Sequence, residues 1–376
     1  MRPAGRMAGL RLSVIRAMNE GAPAGCVSLG LGEPSWDLPR EARESLEAWA
    51  GPEGPCPYGP NAGIPELRAA LADHLGVPDP GILVSAGSQG ALFALVQAWA
   101  GPGDQVLLPD PGFLAYPTLA RLAGAEPVPY PAAPDFSLDP GLFRAALEAA
   151  PRARLAIVNH PANPTGAGAS RAALDEMYAA CRDREVVLVS DEVYRELHLS
   201  ERPAGLADAG VRPGAVVLGS LSKAFAAPGL RVGWAWGDSE VLAPARLVHN
   251  AMVSCLSRPA QAAAAALVGA SDRILPRVRT QLAVRWEAFR SAARDHLGWD
   301  PPPPAGGFYA WLPLPPEARP DPGAFCLRVR DRGGVIVIPG SAFGPRGAAY
   351  ARVSWAGSPA DIVEGVRRLS GFWRDR

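Results

Sequence analysis

The sequence predicts an α/β protein in which a large domain is built on a mostly parallel central sheet and a smaller α+β domain accompanies it. Short, continuous apolar runs alternate with helical stretches, which is the pattern of a parallel sheet covered on both faces. Polar residues follow directly after several of these runs, where ligands bind in such sheets. After Gly237 the alternation stops, and helices and strands follow in a mixed order.

The N-terminal part supplies one apolar segment and two helices before the alternation begins. Residues 27–29 are apolar and small, and they run into a Gly/Pro loop at 30–34. A first helix is predicted to end at Gly51, and a proline-rich loop follows it. The next helix, Pro65–Leu75, has proline at its start and Gly76 as its stop.

The central part contains five predicted strands. Each is a short apolar run bounded by turn residues or by a helical stretch. The turn at 87–90 leads into an apolar helix at 91–100, and a helix at 172–182 precedes the fourth strand. The five strands are predicted at 82–85, 106–108, 153–158, 186–190 and 216–218.

The C-terminal part is helical to about residue 296, and a run of prolines at 301–304 follows. Strand-like segments then mix with helices, which indicates a second, smaller domain completed by the N-terminal segment. We expect residues 41–280 to form the large domain, and residues 1–40 and 281–376 to form the small one. The later strands are predicted at 308–312, 335–338 and 350–355.

Composition and charge exclude several classes of protein. The chain is 48% hydrophobic and 20% charged, which is typical of a globular protein with a sizeable core. Its formal net charge of +0 and its pI of about 7.0 give no electrostatic reason to expect nucleic acid or an anionic membrane as a partner.

Cysteine usage and apolar windows indicate a soluble cytoplasmic protein. The five cysteines lie far apart and form no CxxC pair or metal-type cluster, which fits a reducing compartment. Residues 1–12 lack the apolar run of a signal peptide. The most apolar windows, 91–100 and 261–270, are about half the length needed to cross a bilayer.

Lys223 is the only lysine in a chain whose Lys and Arg residues total 37, so the remaining 36 basic side chains are arginines. Arginine serves wherever a permanent cation is needed, but it does not readily lose a proton and attack a carbonyl carbon. A lysine amine can, so Lys223 is a candidate Schiff-base nucleophile. The alternative is a coding bias that leaves a single lysine at an arbitrary position.

Two segments form a candidate anion site for a phosphate-bearing aldehyde cofactor. Gly87, Ser88 and Gln89 open a helix directly after a strand, so backbone N–H groups and the helix dipole face an anion. Near Lys223, Ser220 and Ser222 offer hydroxyls, and Arg231 offers a guanidinium suited to phosphate. Each segment alone is also compatible with an ordinary turn or a surface arginine.

The cofactor's ring needs partners as well. Asp191 ends a buried strand, where a carboxylate is costly without a partner, and a pyridinium nitrogen is such a partner. Tyr194 is placed to donate to a ring oxygen and Phe113 to stack on the ring, whereas Asn163 fits a turn. Capping, ion pairing and core packing are the structural alternatives for these residues.

Taken together, these motifs resemble the class I/II aminotransferases, which are fold type I enzymes that depend on pyridoxal 5′-phosphate. The resemblance rests on Asn-Pro-Thr-Gly at 163–166, Asp-Glu-Val-Tyr at 191–194, Ser-Leu-Ser-Lys at 220–223 and Arg231. It extends from about residue 29 to residue 355. Each motif is common, but the spaced set is specific.

The resemblance implies roles around the cofactor. Lys223 would hold pyridoxal phosphate through a Schiff base and later move a proton, while Asp191 would pair with the pyridine nitrogen. Tyr194 and Asn163 would bond the ring oxygen. The phosphate would be held by Ser88, Ser220 and Arg231, with Phe113 stacked on the ring.

It also implies a shared active site and a substrate clamp. Tyr58 resembles the tyrosine that reaches the phosphate from the other subunit of a homodimer. Arg352 matches the arginine that clamps the substrate's α-carboxylate, Asn163 would lie beside it, and Gly32 matches the loop that closes over it. Trp36, in the same loop, is a candidate for the side-chain pocket or a packed loop aromatic.

The substrate expectation rests on Gln89. One bacterial group that resembles this chain has a lysine there to bind an acidic side chain, and this chain lacks that cation. We therefore expect ping-pong amino transfer from a neutral or aromatic amino acid to a 2-oxo acid such as 2-oxoglutarate. An arginine-switch enzyme that also accepts acidic substrates stays open.

Several other reactions and roles remain alternatives at this point. The same scaffold supports carbon–sulfur β-lyases, decarboxylases and oxidases, and aspartate or histidinol-phosphate aminotransferases resemble this chain as well. A non-enzymatic, cofactor-sensing domain is disfavoured because only about thirty residues precede the matching region. A nicotinamide-binding enzyme is disfavoured because no GxGxxG follows a strand.

Overall fold

The structure of the protein, a computed structural model, describes residues 4–7, 10–51, 53, 55, 57–78 and 81–373. Within these residues the chain forms twelve α-helices and twelve β-strands. The helices are α1 Val14–Glu20, α2 Arg40–Ala50, α3 Pro65–Leu75, α4 Gly87–Trp99, α5 Ala115–Leu122, α6 Pro140–Glu148, α7 Arg171–Arg182, α8 Ser239–Val253, α9 Arg258–Gly269, α10 Ser271–Leu297, α11 Pro322–Gly333 and α12 Pro359–Leu369. The strands are β1 Val27–Ser28, β2 Ile82–Ser85, β3 Gln105–Asp110, β4 Glu126–Pro131, β5 Ala153–Asn159, β6 Val187–Asp191, β7 Ala215–Ser220, β8 Gly233–Gly237, β9 Tyr309–Pro313, β10 Val335–Ile336, β11 Ile338–Pro339 and β12 Tyr350–Ser354.

The central feature is a seven-stranded sheet with the order β2-β8-β7-β6-β5-β3-β4. β3 to β7 pair in parallel, and β8 runs antiparallel to both of its neighbours. Every residue of β2, β6 and β8 is buried, as expected for a sheet covered on both faces. The predicted α/β fold with a mostly parallel sheet is therefore confirmed.

Two strands of this sheet are absent from the sequence-based prediction. β4 carries prolines at 127, 129 and 131 and is tolerated because it lies at the sheet edge, where a missing N–H breaks few ladder bonds. β8 has the sequence Gly-Trp-Ala-Trp-Gly and is too short and glycine-rich to be distinguished from a loop.

The helix after β2 begins at Gly87, four residues before the predicted start at residue 91. Gly87 has a φ of +70°, which glycine adopts without a Cβ clash. The chain therefore passes from strand to helix within two residues. This places the first backbone N–H groups of α4 at the carboxyl end of the sheet.

The remaining strands form two small sheets. In one, β1 pairs in parallel with β10, so the N-terminal segment joins the C-terminal part of the chain. In the other, β12 lies between β11 and β9 in antiparallel pairing. The predicted strand at 335–338 is wrong as one element, because its two halves belong to different sheets. The predicted limit at residues 280 and 281 falls inside α10, and the domain limits stay a prediction.

The structure also bears on two features of the composition, the apolar helices and the cysteines. None of the helices in the described part of the chain is long and apolar enough to cross a membrane. Cys26, Cys181, Cys255 and Cys326 are free thiols, and Cys56 lies outside the described residues.

Candidate active site

One cavity of about 250 Å³ lies where the parallel strands end, and it collects most of the predicted site residues. Strand register explains this, because Asn159 at the end of β5 lies beside Asp191 at the end of β6. Ser220 ends the next strand, β7. The predicted residues that line the cavity are Gly32, Ser88, Gln89, Phe113, Asn163, Asp191, Tyr194, Ser220, Ser222, Lys223, Arg231 and Arg352.

Lys223 follows β7 by three residues, and its amine faces this cavity. Its Nζ donates a hydrogen bond of 2.6 Å to the backbone carbonyl of Gly32. The same Nζ lies 5.8 Å from the ring centroids of both Tyr194 and Phe308. The only primary amine on a side chain of this protein is therefore held between the sheet edge and the loop at Gly32.

An anion cradle is formed by the start of α4 and the loop after β7. A Cβ on Gly87 would lie 2.5 Å from Nη2 of Arg231, so glycine allows the guanidinium to approach the helix start. Arg231 Nη1 also donates to the carbonyl of Pro228 at 2.9 Å. The hydroxyls of Ser220 and Ser222 lie 3.0 Å apart beside it. Backbone N–H groups, hydroxyls and a guanidinium at a helix start suit a phosphate.

Asp191 is a buried acid with a relative exposure of 7%. Tyr116 Oη donates to its Oδ2 at 2.7 Å, and the N–H of Val193 lies 3.4 Å from its Oδ1. Among the residues that the structure describes, no arginine, lysine or histidine forms an ion pair with it. Burial raises the pKa of Asp191, whereas the hydrogen bond from Tyr116 acts in the opposite direction.

Arg352 is the matching buried cation, with a relative exposure of 1%. Its Nη1 donates to Asn163 Oδ1 at 2.9 Å and its Nη2 to the Gly30 carbonyl at 2.6 Å, while its Nε has no hydrogen-bond partner. Its guanidinium carbon lies 4.4 Å from the ring centroid of Tyr309 and 4.9 Å from that of Phe343. Burial lowers the pKa of Arg352, and within the described ranges no carboxylate pairs with it.

Tyr309 contacts both Tyr194 and Arg352. Its hydroxyl lies 3.0 Å from the hydroxyl of Tyr194, and its ring lies against Arg352. A Cβ on Gly32 would lie 1.8 Å from Tyr309 Oη, so only glycine fits at position 32. Burial raises the pKa of Tyr194 well above its ordinary value, so the Tyr194 hydroxyl stays protonated near neutral pH.

Sequence reasoning missed three polar residues that line this cavity. Tyr116 holds Asp191, and Tyr309 contacts Arg352. Asn159 donates to the Asp191 carbonyl at 2.9 Å, and its Oδ1 accepts from the N–H of Asn163 at 2.8 Å. The position of Asn159 at the end of a predicted strand was a usable signal. Nothing in the local sequence marks the two tyrosines as buried polar groups.

Three predicted residues do not line the cavity. Gly87 is adjacent in sequence to the lining residue Ser88, and its lack of a side chain leaves room for the guanidinium of Arg231. Tyr58 is 91% exposed on this chain. Trp36 lies elsewhere, with its ring 5.0 Å from the guanidinium carbon of Arg285 and facing a separate pocket between its own loop and α10. Of the two alternatives for Trp36, this placement agrees with a packed loop aromatic, and a role in the substrate's side-chain pocket stays a prediction.

The residues present fit pyridoxal phosphate. The cradle at the start of α4 suits its phosphate, and Lys223 suits its aldehyde. Asp191 is a buried acid for which the described residues supply no cation, so it suits a protonated ring nitrogen. Arg352 is a buried cation for which those residues supply no anion, so it is able to bind a ligand carboxylate.

Comparisons with known proteins agree with this geometry. Residues 24–369 match the family model of aminotransferase class I and II. The chain is 32% identical to the LL-diaminopimelate aminotransferase of Desulforudis audaxviator over 360 residues, which cover 92% of this chain and 90% of that one. It is also 32% identical to the aspartate/prephenate aminotransferase of Thermus thermophilus, with the same coverage of 92% and 90%.

Solved structures show the same fold. The N-succinyldiaminopimelate aminotransferase of Mycobacterium tuberculosis superposes with a TM-score of 0.90 at 29% identity, over 99% of this chain and 100% of that one. The aspartate aminotransferase of Thermus thermophilus with maleate superposes with a TM-score of 0.88 at 28% identity, with the same coverage. The protein therefore belongs to the class I and II aminotransferases, fold type I enzymes that use pyridoxal phosphate to transfer amino groups.

Proposed function

We propose that this aminotransferase moves the amino group of a neutral or aromatic L-amino acid to a 2-oxo acid such as 2-oxoglutarate, in two half-reactions at one site. One observation carries the assignment of the site. Within the described part of the chain, a single cavity holds a buried carboxylate without a cation, a buried guanidinium without an anion, and the only lysine. A ligand pair that brings a ring cation and a carboxylate satisfies both charges.

The chemistry divides between the cofactor and the side chains. Bound pyridoxal phosphate supplies an aldehyde that reacts with amines and a ring that takes up the charge released at the donor's Cα. Lys223 would hold the cofactor through its Nζ, and that Nζ, when free, would take the proton from the donor's Cα. Asp191 keeps the ring nitrogen protonated, and Tyr194 donates from its hydroxyl to the ring oxygen. Proton transfer by a positioned group typically contributes about 10²–10⁴-fold to the rate.

Arg352 orients the donor. Two charge-assisted hydrogen bonds to the α-carboxylate would fix the direction of the Cα–H bond relative to Lys223. Asn163 would link the substrate site and the cofactor. Its Oδ1 accepts a hydrogen bond from Arg352, and its Nδ2 would donate to the ring oxygen. The loop at Gly30 and Gly32 touches both Arg352 and Lys223, and it closes the cavity above them.

The phosphate site is assigned to the start of α4 and the loop after β7. Ser88, Ser220, Ser222 and Arg231 would hold the phosphate together with the N–H groups of Gly87 and Gln89. Phe113 would stack on the ring from the cavity wall. These donors are neutral or cationic, as a phosphate dianion requires.

We also propose a homodimer in the cytoplasm with active sites shared between subunits. The 91% exposure of Tyr58 supports this, because a tyrosine in a proline-rich loop gains little from pointing into water. In a dimer it would reach the phosphate bound to the partner. The four described free thiols support a reducing compartment.

The substrate class rests on which cations line the cavity. On the described residues of this chain they are Lys223, Arg231 and Arg352, and each already has a role. The wall also contains Ile15, Leu92 and Phe113, and Gln89 carries no charge. A second carboxylate on the donor would find no cation, whereas an apolar or aromatic side chain would find apolar contacts. Because relatives carry the names of aspartate, prephenate and diaminopimelate enzymes, these substrate classes belong in the test.

The test is a panel of amino acids with 2-oxoglutarate and purified, cofactor-loaded protein. We expect the cofactor's absorbance to change on addition of a neutral or aromatic donor, and to recover on addition of 2-oxoglutarate. Aspartate and LL-diaminopimelate serve as the competing donors. Faster turnover of either would reject the substrate proposal. Release of ammonia, sulfide or carbon dioxide without dependence on an oxo acid would instead indicate a lyase, oxidase or decarboxylase.

A further inference from the structure

Tyr116 is the one side chain in the described residues that hydrogen-bonds the carboxylate of Asp191. Its hydroxyl donates to Oδ2 at 2.7 Å, a well-formed O–H···O bond. Within the described residues, the other hydrogen bond to this carboxylate comes from the N–H of Val193 at 3.4 Å, which is long. The orientation of the acid therefore depends chiefly on Tyr116.

Tyr116 is itself rigidly placed. It is 1% exposed, it lies in the first turn of α5, and its N–H donates to the carbonyl of Phe113 at 3.0 Å. The rings of Phe113 and Tyr116 meet edge to face with centroids 5.6 Å apart. One short segment thus carries the aromatic expected to stack on the cofactor and the hydroxyl that holds its acid.

The Tyr116 hydroxyl also affects the pKa of Asp191. The other titratable groups near the carboxylate are His160, Glu192 and Tyr194. His160 already contacts Glu192, with 3.5 Å between Nε2 and Oε1. Burial raises the pKa of Asp191, and the bond from Tyr116 is the largest effect that lowers it. Burial also raises the pKa of Tyr116 well above its ordinary value, so this hydroxyl remains a donor.

We propose that Tyr116 is a positioning residue that acts through Asp191: its hydroxyl occupies one carboxylate oxygen and directs the acid at the cofactor's ring nitrogen. The inference rests on the proposed role of Asp191. A buried carboxylate with one oxygen held by a hydrogen bond has little freedom to rotate away from the ring. Tyr116 would therefore set the orientation of Asp191.

The test compares two tyrosine-to-phenylalanine variants in the cofactor-loaded enzyme. Tyr116→Phe removes the hydroxyl and keeps the ring that packs on Phe113. The matched control is Tyr130→Phe, because Tyr130 is also 1% exposed, donates a buried bond of 2.9 Å to the Ile157 carbonyl, and meets Phe143 edge to face. Both variants lose one buried hydrogen bond, but only one loses the bond to Asp191.

For Tyr116→Phe we expect kcat to fall about 10- to 100-fold, the range for a bond to a charged group, with the donor's KM changed by less than about 2-fold. The NMR shift of an isotopically labelled ring nitrogen should move toward the unprotonated value. Tyr130→Phe should lower the thermal midpoint to a similar extent and leave kcat and the nitrogen shift unchanged. Wild-type kcat and nitrogen shift in Tyr116→Phe would overturn the proposal.

A double variant separates the possible failures. If Tyr116 acts through Asp191, Tyr116→Phe combined with Asp191→Asn should be no slower than Asp191→Asn alone. Additive losses would show that Tyr116 acts independently of the acid and would overturn the proposal. If Asp191→Asn alone leaves kcat and the nitrogen shift unchanged, the assigned role of Asp191 is wrong, and the function of Tyr116 fails with it. The comparison of kcat between the double variant and Asp191→Asn also tests the proposal if Tyr116→Phe is less stable than its control.

Discussion

The two sides of the active site differ in how far apart their residues lie along the chain. On the acid side, Asp191 contacts Asn159 and Tyr116, 32 and 75 residues away. On the arginine side, Arg352 contacts Asn163 and Gly30, 189 and 322 residues away. The acid side is built by the ends of neighbouring strands of one sheet together with α5, whereas the arginine side forms where segments far apart along the chain meet.

The two sides also show opposite electrostatics. Burial raises the pKa of Asp191 and lowers the pKa of Arg352, because a low-dielectric environment disfavours each charge. Neither group has an oppositely charged partner among the described residues. Each is therefore prepared for a ligand charge, and the ligand at the arginine side is the one that changes in each half-reaction. We expect variants on the acid side to alter cofactor chemistry and variants on the arginine side to alter substrate binding.

The largest effect is expected at the residue that serves both sides. Lys223→Arg keeps a cation but removes the amine that transfers the proton, so turnover should fall by at least about 10²–10⁴-fold. Stopped-flow absorbance and steady-state assays measure this, and circular dichroism checks that the fold is retained. A variant that turns over like the wild type would remove Lys223 from the mechanism.

The next largest effect tests the arginine side. Arg352→Lys keeps the charge and loses the planar fork that binds a carboxylate with two hydrogen bonds. We expect kcat/KM for the amino acid to fall about 10- to 100-fold, the cost of one lost bond to a charged group. Cofactor affinity, measured by fluorescence titration, should change by less than about 2-fold. An equal loss of cofactor affinity would break the division into two sides.

A smaller effect is expected from crowding between the loop and Tyr309. The Cβ of Gly32→Ala would lie 1.8 Å from Tyr309 Oη, which must move away from Tyr194 and Arg352. Overpacking of this kind costs about 1–3 kcal/mol, so kcat/KM should fall up to about 100-fold. Gly269→Ala is the control, because nothing lies within 4 Å of its Cβ. Equal activity in both variants would show that Tyr309 adapts freely.

The smallest effect is a pH-dependent stability difference in the cofactor-free protein. Because the folded-state pKa of Asp191 is raised, the unfolded chain loses this proton first as pH rises above about 3.9. Wild-type stability should therefore fall relative to Asp191→Asn as pH rises, until the raised folded-state pKa is passed. Thermal midpoints measured from acidic to neutral pH test this. With cofactor bound, the stability of the wild type relative to Asp191→Asn should instead rise with pH, because the protonated ring nitrogen then pairs with the ionised acid.

Glu364→Gln provides a control of opposite sign. Arg367 and Arg368 lower the pKa of Glu364 to about 2, so its contribution is present at neutral pH and is lost as pH falls through that value. The group is exposed, and solvent screening keeps its effect small. A parallel rather than opposite trend in the two variants would contradict the assigned burial effect at Asp191.

Sequence patterns predicted the carboxylate of the acid side, Asp191, but not its partners Asn159 and Tyr116. Strands β5, β6 and β7 are continuous apolar runs, and Asn163, Asp191 and Ser220 lie at or just beyond their ends. Parallel strands place such ends at one edge, so their proximity follows from local pattern alone. The edge strand β4 was not predicted, because its prolines argue against a strand unless its position at the sheet edge is known.

On the arginine side, Arg352, Asn163 and Gly32 were predicted as site residues, but Tyr309 was not. Tyr309 was included in a predicted strand without a site role, yet it contacts Arg352 and limits position 32 to glycine. Trp36 follows Gly32 by only four residues, but its ring packs against Arg285 on α10. Proximity along the chain did not predict proximity in space, because the loop between them turns toward α10.

By itself the sequence determined the class of fold, the single lysine, and the row of polar residues at the strand ends, because these depend on short-range periodicity and composition. Only the tertiary structure decided that Tyr116 holds Asp191, that Tyr309 joins Arg352 to Tyr194, and that Trp36 lies outside the cavity. Those contacts depend on how separate segments pack, and burial then sets the charge preferences of the groups they enclose.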